Sequence, residues 1–273
     1  MFMVTEQYPD RKNKLLTSLV LKLLALPWDS IYDVKYKGLT HLDRLRHDGI
    51  VLLANHQSLL DIGVCGKALM KQERQGHYVM RSSLPAWLEL IGGISINRGK
   101  EYKATKKGNI NQQKSIGPRE KNKIAYQRVA QSLSQNQPVV MYPSGTRTQR
   151  KTNLTDRSVE GTLRNILTVQ GQIGSPVPFV PVKITYEAPV VEELLEGFSF
   201  RNIIRDFSIK TISNQFKNIP KGALRQQFRA KIYMDIGRPF TIDETLEPGD
   251  QLRLFQENLE AHISTMYLPK DNL

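Results

Sequence analysis

Residues 50–61 read Ile50-Val-Leu-Leu-Ala-Asn55-His56-Gln57-Ser58-Leu59-Leu60-Asp61. The unbroken apolar run Ile50–Ala54 is the length of a buried strand, and it ends in Asn-His, which places an imidazole at the C-terminal edge where α/β folds bind ligands. Asp61 lies five residues on. Through one helical turn it can fold back to accept the Nδ1 proton, leaving Nε2 as an oriented base. The spacing His-x4-Asp is common by itself, and a histidine that merely caps a helix would be written with the same letters. Its meaning depends on what surrounds it.

Outward from this run the hydrophobic period alternates. Ile31–Tyr36, His77–Met80, Ile94–Asn97, Pro138–Tyr142, Phe179–Thr185 and Lys231–Ile236 are short apolar or alternating stretches that predict strands. Asp61–Met70 and Ile124–Leu133 predict helices, the second with Ala125, Val129 and Leu133 on one face. A third helix is expected after the start signal Pro248-Gly249-Asp250, where Leu252, Phe255, Leu259, Ile263 and Met266 recur at helical spacing. Strands interleaved with helices indicate an α/β domain with a mixed, mostly parallel central sheet flanked by helices. No internal repeat is visible.

Composition narrows the partners. The chain has 273 residues, 40% of them hydrophobic, enough for a sizeable core. With Cys65 as the one cysteine, an intrachain disulfide and a cysteine-based zinc site are both excluded. Lys and Arg number 39 against 26 Asp and Glu, and the difference is the formal charge of +13. Such an excess favours anionic partners: nucleic acid, an anionic membrane or a phosphorylated substrate.

Two basic segments bear on that choice. Residues 14–28 are apolar but short of the ~20 residues a spanning helix needs, and Lys22 interrupts them. Pro27-Trp28-Asp29 follows without a small-x-small cleavage site, so a signal peptide fits poorly. Residues 1–30 are expected to be an N-terminal amphipathic helix, docked on the domain, seated in a membrane interface, or both, with 31–273 as the main domain. Residues 99–123 hold almost nothing apolar and carry seven Lys and one Arg between Lys100 and Lys123. They read as a mobile polar loop, either simply solvated or placed over an anionic partner.

Two more strand ends carry cations. Gly92-Gly93-Ile94-Ser95-Ile96-Asn97-Arg98 sets an arginine behind a short strand, and Val139-Val140-Met141-Tyr142-Pro143-Ser144-Gly145-Thr146-Arg147 does so again with a glycine turn between. Guanidinium groups donate bidentately to phosphate, and a glycine turn can add backbone amides. A His-Asp pair with two arginines at strand ends looks like a base beside an anion clamp.

In this order and spacing the motifs resemble those of the glycerolipid acyltransferases of the phosphate acyltransferase superfamily, which include the lysophosphatidic acid and glycerol-3-phosphate acyltransferases. Asn55–Asp61 is similar to the first motif, Gly93–Arg98 to the second, Pro143–Arg147 to the third and Val180-Pro181-Val182 to the fourth. The resemblance covers about residues 31–240. It implies that His56 removes a proton from the acceptor hydroxyl as that attacks an acyl thioester, that Asp61 orients the ring, and that no acyl-enzyme forms. It also implies that Arg98, Gly145 and Arg147 hold the acceptor phosphate, with Asn55, Ser144 and Thr146 in the same substrate-binding set. Pro181 would line the acyl or acceptor pocket, or simply stand at a strand start.

The donor implied is acyl-CoA or acyl-carrier protein and the acceptor lysophosphatidic acid, giving phosphatidic acid, with glycerol-3-phosphate as the alternative. Neither a cofactor nor a metal is implied, and the expected location is peripheral, at the cytoplasmic face of a membrane. One letter departs from the pattern. Ser144 stands where the third motif usually has glutamate, as in soluble plastid-type glycerol-3-phosphate enzymes, and Tyr186-Glu187 with Glu192-Glu193 also resembles that branch. The first motif and the short chain are nearer the lysophosphatidic acid branch. Glu160-Gly161-Thr162 repeats the missing letters but follows no buried strand.

Other classes fit less well. A serine hydrolase would need a Gly-x-Ser-x-Gly elbow, but Tyr142 and Thr146 flank Ser144, and Ser58 is too close to His56 along the chain. A nucleic-acid module would need a groove-reading or base-stacking element, and none is visible. A non-catalytic protein that binds anionic lipid remains as a rival.

Overall fold

Short β-branched and leucine-rich runs form a seven-stranded sheet because both of its faces are covered by helices. The computed structural model describes residues 32–56, 60–82, 88–89, 92–97, 117–143, 157–186 and 230–265. Along the chain these give β1 (Tyr32–Lys37), α1 (Leu39–Asp43), β2 (Val51–Ala54), α2 (Leu60–Lys71), β3 (His77–Arg81), β4 (Gly93–Ile96) and α3 (Pro118–Ser134). There follow β5 (Val139–Met141), α4 (Arg157–Ile173), β6 (Phe179–Tyr186), β7 (Ala230–Ile236) and α5 (Pro248–Thr265). The expected N-terminal helix, residues 1–30, lies outside the described residues.

Across the sheet the order is β1-β7-β6-β2-β5-β3-β4. β2 pairs in parallel with β5 and β6, and β3 in parallel with β5 and β4. β7 runs antiparallel to β6, and β1 is parallel to β7. The sheet is therefore mixed and mostly parallel. Its consequence is geometric: β6, β2, β5, β3 and β4 all finish at one edge, so the chain after each emerges on the same side of the molecule.

Alternation along the strands divides the core. Val51, Leu53, Met141 and Phe179 face α3, α4 and α5, while Leu52, Ala54, Val140 and Val180 face α1 and α2. The anticipated helical stripes are buried as read: Ala125, Val129 and Leu133 on α3, and Leu252, Phe255 and Leu259 on α5.

Two features depart from the sequence reading. Helix α3 begins at Pro118, so Arg119, Lys121 and Lys123 belong to a helix and not to the polar loop expected over 99–123. A proline in the first turn is preorganised for a helix and lacks an N–H that would go unpaired there, and exposed first turns are polar whatever follows. Helix α4 was not anticipated at all. Gly161 and Gly171 lower its propensity, yet Leu163, Ile166 and Val169 are buried on one face.

Glycine and proline positions have local causes. Gly92 has φ of 96°, and a Cβ on Gly93 would stand 2.6 Å from Met80 Cε and 2.7 Å from the Leu88 carbonyl oxygen. The Gly92-Gly93 pair thus permits close packing against β3. Pro181 is not at a strand start but third in β6, buried, where the β7 ladder ends. Its carbonyl accepts from Gly237 N at 2.8 Å, and its missing N–H falls where pairing stops.

On the α5 face, Phe255 meets Phe179 edge to face with ring centroids 4.6 Å apart, and Phe240 closes the cluster at 5.5 Å. Phe255 is fully buried. Phe255→Ala is expected to lower stability by ~3–5 kcal/mol, read as a fall in the denaturant midpoint; a shift below ~1 kcal/mol would mean that α5 is dispensable to the core.

Candidate active site

The end of β2 is held before any chemistry is considered. Asn55 Nδ2 donates to the Ile184 carbonyl at 2.8 Å, and Ile184 N donates to Asn55 Oδ1 at 2.6 Å. The amide clamps β2 to β6, a strand-positioning contact in addition to the substrate role expected of it. From this fixed point the chain delivers His56 and, one turn into α2, Asp61.

His56 Nδ1 and Asp61 Oδ2 are 2.9 Å apart. Asp61 is wholly buried and the His56 side chain is 14% exposed, so the carboxylate is shielded while the ring keeps an opening to solvent. The Tyr186 hydroxyl donates to the other carboxylate oxygen, Oδ1, at 2.5 Å. Tyr142, the residue after β5, stacks on the imidazole with centroids 4.5 Å apart and planes inclined by 29°. Ring rotation is thereby limited from the side and through Nδ1. A neutral imidazole that donates from Nδ1 presents the Nε2 lone pair as a proton acceptor.

Beneath the pair lies a layer of buried phenols and one thiol. Burial first, then the Asp61 charge, push the Cys65 thiol well above its ordinary range, although the Tyr142 hydroxyl acts the other way. Burial also raises Tyr36, Tyr78 and Tyr142, each further opposed by Cys65. The Tyr142 hydroxyl lies close enough to Cys65 to influence it but makes no bond of hydrogen-bond geometry, and the Tyr36 hydroxyl is likewise buried without a partner.

The remaining expected residues divide in two. Pro181 is described and belongs to β6, as above. Arg98, Ser144, Gly145, Thr146 and Arg147 lie outside the described residues. The strands leading to them are fixed at the same edge as β2. Asn97, the residue before Arg98, donates its N–H to Asn122 Oδ1 at 2.7 Å and accepts from Asn122 Nδ2 at 2.9 Å, which ties the end of β4 to α3. Glu160-Gly161-Thr162 is part of α4 and has no place in a strand-end motif.

Sequence reasoning missed Tyr142 and Tyr186 as members of the site. Tyr142 was visible as the last apolar residue before Pro143; Tyr186 gave no usable signal, since it stands 125 residues from Asp61. Among the described residues no three His, Cys, Asp or Glu side chains gather as a metal would require. A concavity lined by Lys35, Tyr36, Lys37, Lys183 and Asp235 lies over β1, β7 and β6. Lys35 and Lys37 are there matched by Asp33 and Asp235, at 3.2 and 3.3 Å.

Comparison with known proteins gives three findings. A family model described as Acyltransferase matches residues 33–185. No curated protein matches the chain. Among solved structures that match is the 1-acyl-sn-glycerophosphate (LPA) acyltransferase PlsC from Thermotoga maritima, 17% identical, with 96% of this chain and 85% of that chain covered and a TM-score of 0.47.

The thiol nearest the dyad has a testable property. A buried Cys65 whose ionisation is opposed by burial and by Asp61 supplies little thiolate, the reactive form. Iodoacetamide at pH 8 is expected to leave the native protein unmodified and to alkylate it after unfolding, read by mass spectrometry. Rapid labelling of the folded chain would contradict this account of the layer.

Proposed function

This chain belongs to the acyltransferase family and is an acyltransferase enzyme, and from that premise we propose that it moves a fatty acyl chain from a thioester to the free hydroxyl of 1-acylglycerol-3-phosphate, giving phosphatidic acid. The observation that carries the reading is the 2.9 Å contact of His56 Nδ1 with a fully buried carboxylate at the C-terminal edge of β2. Nε2 takes the hydroxyl proton as the oxygen attacks the thioester carbonyl carbon. The new C–O bond forms, the C–S bond breaks, and the imidazolium returns its proton to the departing thiolate. Asp61 stabilises the imidazolium while it exists. Transfer is proposed to be direct, without an acyl-enzyme, as the resemblance of the four motifs implies.

The phosphate of the acceptor is proposed to meet Arg98, Gly145 and Arg147, with Ser144 and Thr146 beside it. Support comes from topology, since β4 and β5 run toward these residues parallel to β2. Lysophosphatidic acid is favoured by the first motif, whereas Ser144 in place of glutamate keeps glycerol-3-phosphate as the second acceptor to test. The donor is proposed to be acyl-CoA or acyl-carrier protein.

Crossing the two acceptors with the two donors tests this. Phosphatidic acid is expected from 1-acylglycerol-3-phosphate, and acylation of glycerol-3-phosphate alone would move the enzyme to the other branch. His56→Ala is expected to cut the rate by ~10²–10⁴-fold; an unchanged rate removes His56 from the mechanism. In the same assay Arg147→Ala is expected to raise KM for the acceptor and not for the donor, and equal values for wild type and variant would end the clamp.

We further propose a peripheral location at the cytoplasmic face of a membrane, held through residues 1–28 and the +13 charge. No helix among the described residues is long and apolar enough to cross a membrane. Basic residues near an anionic surface contribute ~1 kcal/mol each and are screened by salt. Binding to phosphatidylserine vesicles is expected to weaken as salt rises and on deletion of 1–28; cosedimentation indifferent to both would defeat the proposal.

A further inference from the structure

We propose that Tyr186 is a positioning residue for the base, completing a chain Tyr186–Asp61–His56 in which the phenol fixes the carboxylate that fixes the ring. The proposal rests on the acyl-transfer reading for its kinetic arm and on geometry for the rest. Asp61 is fully buried and offers one oxygen to His56 Nδ1 at 2.9 Å and the other to the Tyr186 hydroxyl at 2.5 Å. A carboxylate accepts and cannot donate, so the hydroxyl hydrogen lies on the Asp61 side of that contact. With both oxygens engaged by groups from different elements, the carboxyl plane cannot turn about its own bond without breaking one of them.

The placement of Tyr186 is itself constrained. It is the last residue of β6, and the Asn55 amide grips Ile184 two residues earlier through paired bonds of 2.8 and 2.6 Å. Ala54 is in register with Val182 on the parallel pair. Positions 182, 184 and 186 share the α2 side of the sheet, the side from which Asp61 projects. Three elements therefore meet at one carboxyl group: the end of β2 through His56, the first turn of α2 through Asp61, and the end of β6 through Tyr186. The Asn55 clamp sets the distance between the first and the last.

Tyr186→Phe removes the hydroxyl and keeps the ring. With long-chain acyl-CoA and 1-acylglycerol-3-phosphate, kcat is expected to fall about ten- to hundred-fold, the scale of a lost hydrogen bond to a charged group, with KM for both substrates unchanged. In a His56→Ala background the same change is expected to leave the residual rate where it is, because a residue that acts through His56 has nothing left to act on. Tyr126→Phe removes a hydroxyl that accepts from Asn165 Nδ2 at 3.1 Å among the helices on the other face of the sheet, and is expected to leave kcat alone.

A second measurement does not need turnover. In full-length protein labelled with ¹⁵N-histidine, the His56 signal, identified by its loss in His56→Ala, is expected to report a single Nδ1–H tautomer. In Tyr186→Phe it is expected to shift or broaden. An unchanged His56 signal together with an unchanged kcat overturns the proposal, as does a further loss of rate in the double variant, which would mark Tyr186 as merely structural. A wild-type protein inactive on every donor and acceptor would instead sink the acyl-transfer reading, and the histidine signal would still decide the role of Tyr186.

Discussion

A carboxylate removed from water costs several kcal/mol unless donors replace its hydration, and Asp61 has lost all of its own. The arrangement of the site follows from that need. One oxygen is answered by an imidazole from the end of β2, the other by a phenol from the end of β6, and the helix that carries Asp61 presents it in its first turn, where unpaired N–H groups favour negative charge. Removing either partner takes a donor from a fully buried carboxylate. The same interactions that stabilise the fold at this edge therefore hold the base in place.

Topology explains why so much chemistry falls on one side. The central strand β2 lies between β5 and β6, all three parallel, so His56, Tyr142 and the end of β6 emerge together although the sequence separates them widely. The reversed pair β1 and β7 extends the sheet away from this edge and contributes core, with Ile232, Met234 and Ile236 buried. Specialisation is thus laid out across the sheet: parallel strands present residues, and the antiparallel end supplies bulk.

What could be read from the letters alone follows the same physics. All seven strands of the sheet were legible as short apolar or alternating runs, the marks of strands buried on two faces or on one, and the His56–Asp61 contact was legible because one helical turn connects the two residues. Helix α4 was hidden by two glycines and a polar stretch before it; its stripe of Leu163, Ile166 and Val169 is sound, but propensity argued the other way. Asn55 was read as a ligand contact because a polar residue beside a catalytic histidine invites that reading. Its amide also holds β6 at Ile184, 129 residues further along the chain, a contact the letters do not show. Tyr186 was quoted for its neighbour Glu187 and not for itself, since a contact set by sheet register leaves no local trace.

The layer beneath the dyad gives the carboxylate its leverage. Tyr36, Cys65, Tyr78 and Tyr142 are each driven toward their neutral forms by burial, and Cys65 and Tyr142 are driven further by Asp61 itself. Neutral side chains packed in an interior screen a charge far less than mobile water does. The attraction between Asp61 and an imidazolium at His56 is therefore weakened little by its buried surroundings, and that is where positive charge must build when a hydroxyl gives its proton to Nε2. A more polar or better hydrated layer would weaken that attraction at the same 2.9 Å distance, so the apolar packing of α2 against β2, β5 and β6 belongs to the chemistry as much as to the fold.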